Sequence, residues 1–224
     1  MIYIAIDGPA GSGKSSVASE LAKRLGFGYL NTGNIYRAIS FFWIQKGQPE
    51  FSKEFFEFIK EKNFSVVDDS VIVDGKRYNN ELRTLEVGRV VSKIAEIPEI
   101  REIVTRKSRE IVKDGNFVVE GRDIGTVVLP DAFLKIFLTA SIEERARRRY
   151  KELISRGIKA NFEDIINEIR ERDYIDSSRT ISPLKAADDA ITITTDGLDL
   201  EEVVERIFSI YTERMKSVRD NSCK

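Results

Sequence analysis

Residues 8 to 16 form a glycine-rich run that can hold phosphate groups, in the order Gly8-Pro9-Ala10-Gly11-Ser12-Gly13-Lys14-Ser15-Ser16. Glycines let backbone N–H groups approach phosphate oxygens, and the lysine can reach the β- and γ-phosphates. The hydroxyl after the lysine can join the coordination shell of Mg²⁺. We therefore predict that these residues bind ATP, with Lys14 as a catalytic residue and Ser15 as a metal ligand.

This phosphate loop, residues 8 to 15, lies between a predicted strand and a predicted helix, as the motif requires. Ile2 to Ile6 is apolar and largely β-branched, as in a buried parallel strand. Val17, Leu21 and Leu25 recur every four residues, as on one face of a helix. The alternative, a glycine turn that matches by chance, does not explain both flanks.

The rest of the chain alternates strand and helix patterns, which predicts an α/β fold with a parallel sheet flanked by helices. Residues 64 to 78 differ: Asp68-Asp69-Ser70 and Asp74-Gly75 separate three short runs, which predicts a small antiparallel sheet. We expect a core of residues 1–33, 114–140 and 183–224, an acceptor-binding insertion of 34–113, and a lid with its following helix at 141–182.

Several residues are predicted to start helices. Ser52 and Asn161 are expected N-caps, and Asn31-Thr32-Gly33 is expected to open the helix after the second strand. Ser141 is expected to form a capping box with Glu144, three residues later.

Composition excludes several classes of protein. The 36 basic and 37 acidic residues give a formal charge of −1, from which we expect no nucleic-acid partner. Histidine is absent, so acid–base chemistry would fall to a carboxylate. No apolar run approaches membrane-spanning length, and we expect neither a membrane partner nor a signal peptide. Cys223 is the only cysteine, which excludes an intrachain disulfide and fits a reducing cytoplasm.

Arginines in separate segments could surround a second anion at the carboxyl edge of the sheet, where ligands of such folds bind. They are Arg37, Arg101, Arg122, Arg172 and Arg179. Arg37 lies one turn into a helix, and a solvated arginine is the alternative interpretation. Arg172, Asp176 and Arg179 share one predicted helix face, where a surface ion-pair ladder is the alternative.

The stretch Gly121-Arg122-Asp123-Ile124-Gly125-Thr126 follows a predicted central strand. An Arg-Asp pair between glycines at this place favours a binding loop over a plain turn. Glu120, which ends the strand, has the usual place of an acidic residue that orients Mg²⁺; a packing or capping role is the alternative.

A predicted helix after Ser141 carries four arginines in five residues: Arg145, Arg147, Arg148 and Arg149. Their positive charges repel one another unless an anion binds among them, as when a mobile lid closes over a triphosphate. The alternative is a solvated face on which Glu143, Glu144 and Glu152 pair with the arginines.

Together these segments resemble the bacterial cytidylate kinase family, within the nucleoside monophosphate kinases, in order over nearly the whole chain. The matching stretches are Ile6 to Lys14, Thr32 to Arg37, Gly121 to Val128 with Pro130 to Ala132, Lys135 to Ser141, and Glu171 to Asp173. The resemblance implies ATP-dependent phosphorylation of CMP and dCMP to CDP and dCDP in pyrimidine nucleotide metabolism. It also implies a cytoplasmic monomer that uses Mg²⁺ with ATP.

The resemblance further implies roles for single positions. The acceptor phosphate would be held by Thr32, Arg37, Arg122 and Arg179, and Tyr36 would line the acceptor pocket. Cytosine would be recognised by Ser92, Arg101 and Asp123, and the sugar by Asp176 and Arg172. Arg148 would belong to the lid over ATP. Arg122, Arg148 and Arg179 would be catalytic beside Lys14. The family is expected to have Ser where Thr32 stands, and Asp is also familiar at the position of Glu120.

The chemistry of cytosine agrees with this assignment. Asp123 can accept a hydrogen bond from the N4 amino group, and Arg101 can donate to N3 or O2. Uracil reverses the donor and acceptor at positions 3 and 4, and such a mismatch can discriminate by about 10⁴-fold.

Two other functions remain open from the residues. Another small-molecule kinase on the same core would phosphorylate a non-nucleotide acceptor and not CMP. A regulatory NTPase would hydrolyse triphosphate slowly whether or not CMP is present.

Overall fold

A five-stranded parallel sheet between layers of helices is the frame of the molecule in a computed structural model. The structure describes residues 1–48, 50–67, 70–155 and 157–222, without the side chains of residues 221 and 222. The predicted turn at Asp68-Asp69 and the inference drawn from Cys223 lie outside the described residues.

Within these ranges the strands and helices follow the predicted alternation. The strands are β1 (Tyr3–Asp7), β2 (Gly28–Asn31), β3 (Phe64–Val67), β4 (Ser70–Val73), β5 (Lys76–Tyr78), β6 (Phe117–Gly121), β7 (Leu134–Thr139) and β8 (Ile191–Thr194). The helices are α1 (Lys14–Leu25), α2 (Thr32–Gln45), α3 (Lys53–Glu61), α4 (Leu85–Ile94), α5 (Pro98–Val112), α6 (Ile142–Ser155), α7 (Phe162–Ser178) and α8 (Leu200–Ser222). A 3₁₀ turn, Asn80–Arg83, and a π-helical turn, Ile124–Val128, were not foreseen from the sequence.

The large sheet has the strand order β2-β6-β1-β7-β8, and every pair is parallel. β1 lies in the centre because Ile4, Ala5 and Ile6 are fully buried between two helical layers. In the register, Asp7 pairs with Gly121 on β6 and with Phe137 on β7. The segments that follow β1, β6 and β7 therefore emerge side by side at one edge of the sheet.

The helices cover both faces of this sheet. One apolar cluster joins it to α2, α3, α4 and α5, and a second joins it to α1 and α8. The helices α6 and α7 pack mainly on each other, around Ala146, Ile165, Ile166 and Ile169. Of the helices that the structure describes, none is long and apolar enough to cross a membrane.

The small antiparallel sheet has the order β3-β4-β5, as the turn pattern predicts. Val71, Val73 and Tyr78 from this sheet pack with Ala38 of α2 and with Leu82. The insertion is thereby fixed to the helix that follows β2.

Helix capping follows the sequence only in part. The Glu144 N–H donates to the Ser141 hydroxyl at 3.2 Å, but the second half of the predicted capping box is absent from the described residues. The Ser141 N–H instead donates to the carboxylate of Asp196, at 3.0 Å to its nearer oxygen. α2 starts at Thr32 as expected, although the Asn31 side chain makes no cap hydrogen bond in the described structure.

Asn161 is predicted to stabilise α7, the helix that carries Arg172 and Asp176. Its side-chain oxygen accepts from the N–H groups of Glu163 at 2.8 Å and Asp164 at 3.3 Å. We expect Asn161→Ala to lower the free energy of unfolding by about 1 kcal/mol in urea titrations.

Ser52→Ala is the matched control, because the Ser52 side chain makes no cap hydrogen bond within the described part of α3. An equal loss in both variants would contradict this account of capping.

Candidate active site

The phosphate loop leaves β1 through a backbone that only glycine can follow. Gly8 has φ 149°, and a Cβ there would lie 1.9 Å from the Leu138 carbonyl oxygen. Gly13 is the N-cap of α1, with φ 90°. The first N–H groups of α1, next to the exposed residues Ser15 and Ser16, can therefore face an anion.

The Lys14 side chain bends back onto the phosphate loop. Its Nζ donates to the Pro9 carbonyl at 2.6 Å and to the Ser12 hydroxyl at 3.3 Å. Burial, and then the positive charge of Arg122, lower the pKa of Lys14 well below its ordinary value. A phosphate beside the ammonium group would oppose both effects, so this position is electrostatically suited to a polyanion.

Asp7 joins the phosphate loop to the segment after β6. Its carboxylate accepts from the Ile124 N–H at 2.8 Å and from the Gly125 N–H at 2.7 Å. Burial raises the pKa of Asp7 to about 6, although both hydrogen bonds lower it. Sequence reasoning gave Asp7 no role; the available signal was a carboxylate at the end of an otherwise apolar strand.

Glu120 is buried at the end of β6 and has a protein partner. The Tyr29 hydroxyl donates to its carboxylate at 2.9 Å, and the Thr32 hydroxyl donates to its backbone carbonyl at 3.0 Å. The described residues contain no cluster of three or more acidic, histidine or cysteine side chains that could hold a metal alone. A nucleotide-bound Mg²⁺ needs only one or two protein ligands. The Ser15 hydroxyl is exposed next to Lys14, and the buried Glu120 carboxylate interacts electrostatically with Lys14, so both could serve such an ion.

Arg101 and Asp123 form a buried ion pair. Nη2 of Arg101 lies 2.5 Å from the Asp123 carboxylate, and each residue is only 5% exposed. The Arg101 guanidinium also donates to the Ala95 carbonyl at 2.8 Å and lies 5.8 Å from the centre of the Tyr36 ring. Burial raises the pKa of the Tyr36 hydroxyl, so it is a neutral hydrogen-bonding group. Ser92 is half-buried on α4 and makes no described contact with this pair.

Asp176 holds two arginines from different segments. The Arg122 Nε donates to its carboxylate at 2.9 Å, and the Arg179 Nη1 lies 3.6 Å from the other oxygen. Asp176 is 6% exposed, which contradicts a surface ion-pair ladder. The spacing predicts that Arg179 shares a helix face with Arg172 and Asp176. α7 ends at Ser178, however, so Arg179 lies just beyond the helix.

Three buried guanidinium nitrogens have no hydrogen-bond acceptor among the described residues: Arg101 Nε, Arg172 Nε and Arg179 Nη2. Burial, and then the positive charge of Arg122, lower the pKa of Arg172 to about 10. A buried donor without an acceptor is costly, and charge-assisted bonds to an anion would satisfy it. Arg37, also predicted to bind this anion, is half-buried and donates to the Leu82 carbonyl at 3.1 Å.

The arginines of α6 are not a uniform surface. Arg147 and Arg148 pair with Glu144, and Arg149 pairs with Glu152, as in the alternative interpretation of this helix. Arg148 also donates to the hydroxyl and carbonyl of Thr195, at 2.9 and 2.7 Å, and its Nη1 approaches Gly13. Thr195, to which the sequence pattern gave no role, thus places Arg148 beside the phosphate loop.

The geometry therefore comprises two neighbouring cationic regions. Around the phosphate loop lie Lys14 and Arg148, and around Asp123 and Asp176 lie Arg101, Arg122, Arg172 and Arg179. Electrostatic interaction of Lys14 with both Arg122 and Arg172 connects the two regions. This arrangement can hold two anionic groups close together.

Comparison with known proteins gives consistent matches over the whole chain. The family model described as cytidylate kinase matches residues 4–213. A cytidylate kinase of Pseudothermotoga lettingae is 46% identical over 98% of this chain and 98% of its own length. A cytidylate kinase of Thermosipho melanesiensis is 47% identical over 95% of this chain and 98% of its own. The solved shikimate kinase of Bacteroides thetaiotaomicron has a TM-score of 0.51 at 12% identity, covers 94% of this chain and 98% of its own, and shares the fold alone.

The Asp7 carboxyl predicts a pH dependence of stability. Its pKa rises from 3.8 to about 6 on folding, so the folded protein binds the proton more tightly. The stabilisation of the folded protein by this proton is complete below the unfolded pKa of 3.8 and is lost as the pH rises through the folded pKa of about 6. We expect the free energy of unfolding of the wild type, relative to Asp7→Asn, to fall by up to about 1.4 kcal/mol per pH unit across this interval.

Urea unfolding of both proteins at several pH values across this interval measures the effect. Asp196→Asn is the control, because the Ser141 hydroxyl lowers the pKa of that exposed carboxylate and moves its titration below the interval. A difference between wild type and Asp7→Asn that stays constant with pH would refute the raised pKa.

Proposed function

Because the chain belongs to the cytidylate kinase family, we propose that it transfers the γ-phosphoryl group of ATP to CMP or dCMP, forming ADP and CDP or dCDP. The observation that carries the proposal is the set of buried, unpartnered guanidinium nitrogens on Arg101, Arg172 and Arg179. Of these arginines, Arg172 interacts electrostatically with Lys14 of the phosphate loop, the segment proposed to bind the polyphosphate of ATP. A second, monophosphorylated substrate gives these donors a partner.

The donor half of the site is residues 8 to 16 with Arg148. Lys14 exchanges its bond to the Pro9 carbonyl for oxygens of the β- and γ-phosphates. Arg148 already lies beside Gly13, so its guanidinium group is placed to neutralise charge on the triphosphate. We assign residues 141–182 to the lid and its following helix, 34–113 to the acceptor-binding insertion, and the remainder to the core.

Ser15 and Glu120 would hold Mg²⁺ together with the phosphates of ATP, Glu120 acting directly or through bound water. Bound there, the ion would neutralise part of the charge that spreads over the phosphate oxygens during transfer. Tyr29, bonded to the Glu120 carboxylate, fixes the direction in which that carboxylate points.

The acceptor half is built around Asp123 and Asp176. Arg122 and Arg179, with Arg37 and the Thr32 hydroxyl, bind the CMP phosphate, while Asp176 and Arg172 bind the sugar hydroxyl groups. Tyr36 and Ser92 line the base pocket with the Arg101–Asp123 pair. Because Asp123 already accepts from Arg101, the pair offers cytosine an acceptor and a donor whose relative position is fixed.

The chemical step requires no strong base. A phosphate oxygen of CMP, already ionised, forms a bond to the γ-phosphorus of ATP as the bond to the bridging oxygen of ADP breaks. The arginines and Lys14 position both phosphates and neutralise their charge, which is the main source of rate in phosphoryl transfer. A chain without histidine is therefore equipped for this reaction. We further propose that the enzyme is a cytoplasmic monomer without a nucleic-acid or membrane partner.

A panel of acceptors tests the function. We expect ADP release from ATP with CMP and dCMP, and a kcat/KM for UMP that is lower by up to about 10⁴-fold, because uracil mismatches the Arg101–Asp123 pair. A coupled ADP-release assay with CMP, dCMP, UMP, AMP and GMP measures this directly.

The alternatives give different results in that assay. No turnover with CMP would indicate a kinase for another small molecule. Slow ADP release that CMP does not change would indicate a regulatory NTPase. Either outcome would refute the proposal.

Arg122→Ala tests the acceptor half on its own. Loss of one charge-assisted phosphate contact is expected to cost about 1.5–3 kcal/mol, or roughly 10- to 100-fold in kcat/KM for CMP, while ATP binding is retained. Steady-state kinetics at saturating ATP measure it.

Arg106→Ala is the control, because Arg106 is an exposed arginine that pairs with Glu110 on α5. If Arg122→Ala matched the wild type in kcat/KM for CMP, the assignment of the acceptor site would fail.

A further inference from the structure

Arg145 differs from the other arginines of α6 because its side chain is buried, at 4% exposure, and bonded to three separate segments. Its Nε donates to the Ala140 carbonyl after β7 at 3.0 Å. Its Nη1 donates to the Ala10 carbonyl in the phosphate loop at 3.1 Å and lies 2.6 Å from the Asp173 carboxylate on α7. One guanidinium group therefore touches the sheet edge, the phosphate loop and α7.

The contact with the phosphate loop is close as well as polar. A Cβ at Gly11 would lie 3.1 Å from the Arg145 Cβ, so the first turn of α6 presses against the loop. Gly11 has φ 76°, a conformation that other residues rarely adopt. The loop at this point is shaped to receive α6.

The contact with α7 is made next to the residues assigned to the acceptor. Asp173 directly follows Arg172, and Asp176 stands one turn further along the same helix. The second oxygen of Asp173 is buried without a described hydrogen-bond donor, so the bond to Arg145 is its main restraint. The bond to Arg145 therefore adds to the packing of α6 on α7 in fixing the rotation of α7 and, with it, the direction of Arg172 and Asp176.

We propose that Arg145 is a positioning residue that holds the phosphate loop and α7 in one relative arrangement, so that donor and acceptor phosphates meet in line. The inference rests on the proposed phosphoryl transfer to CMP. Arg145 acts through Ala10 and Asp173: its side chain is buried, and its described bonds are to two backbone carbonyls and a carboxylate. Lysine at this position keeps the charge but cannot reach all three partners from one nitrogen.

Kinetics distinguish positioning from direct binding. In Arg145→Lys and in Asp173→Asn we expect kcat to fall by about 10- to 100-fold while KM for ATP and CMP changes by less than about threefold. The loss of kcat in the double variant should be no larger than that in the more affected single variant, because both changes break the same Arg145–Asp173 contact. Arg170→Lys, a change at an exposed arginine of α7, is the control and should match the wild type.

A rise in KM for ATP with kcat unchanged would show that Arg145 contacts the triphosphate directly, and would overturn the proposal. Losses that add in the double variant would also overturn it.

Hydrogen exchange tests the link without nucleotide or turnover. We expect Asp173→Asn, a change on α7, to speed amide exchange in the phosphate loop as well as in α7, by about tenfold or more, because local opening is no longer opposed. Unchanged exchange in residues 8–13 would refute the link. CMP turnover by the wild type tests the proposed function separately: its absence, with the exchange result as expected, would leave the link established and the assigned reaction wrong.

Discussion

The pair of hydrogen bonds from the Ile124 and Gly125 N–H groups to Asp7 is the interaction on which the site depends. β1 and β6 are neighbours, but register alone does not fix the segments that leave them. Asp7 does so by carrying a carboxylate at the end of the central strand to two backbone donors of the π-helical turn. The phosphate loop and the loop after β6 are thus parts of one hydrogen-bonded unit. Burial of that carboxylate opposes its ionisation, and the two N–H bonds partly compensate.

Around this unit, buried charges of opposite sign are paired but not balanced. Asp123 and Asp176 are buried among Arg101, Arg122, Arg172 and Arg179, so cations outnumber carboxylates. A buried pair is costly unless its remaining hydrogen-bonding groups are satisfied. The excess positive charge and the unpartnered guanidinium nitrogens therefore favour entry of a dianion, and Lys14 is influenced by the same field.

The parallel sheet, the antiparallel insertion and the phosphate loop could be predicted because each depends on a local pattern that repeats or carries glycine at fixed spacing. The Arg-Asp stretch after β6 was predicted as a binding loop for the same reason, and its side chains form the ion pairs with Arg101 and Asp176. The roles of Asp7, Thr195 and Asp173 could not be predicted, because each depends on a partner that is distant in the sequence. The partner is more than a hundred residues away for Asp7, more than forty for Thr195 and more than twenty-five for Asp173. Among the described residues, the predicted capping box is incomplete for the same reason. The Ser141 N–H, expected to donate to Glu144, donates instead to Asp196, which is distant in the sequence. The four arginines of α6 gave one sequence signal but have separate surroundings, which only packing reveals.

Asp176 places a carboxylate where Arg122 and Arg179 can hold it before any substrate arrives. The empty site thus contains its own competitor for the arginines. Because these side chains are already ordered, an incoming phosphate has little rotamer freedom left to remove from them. Under the proposed function, the acceptor phosphate would therefore exchange with an internal carboxylate and would not have to order free arginines.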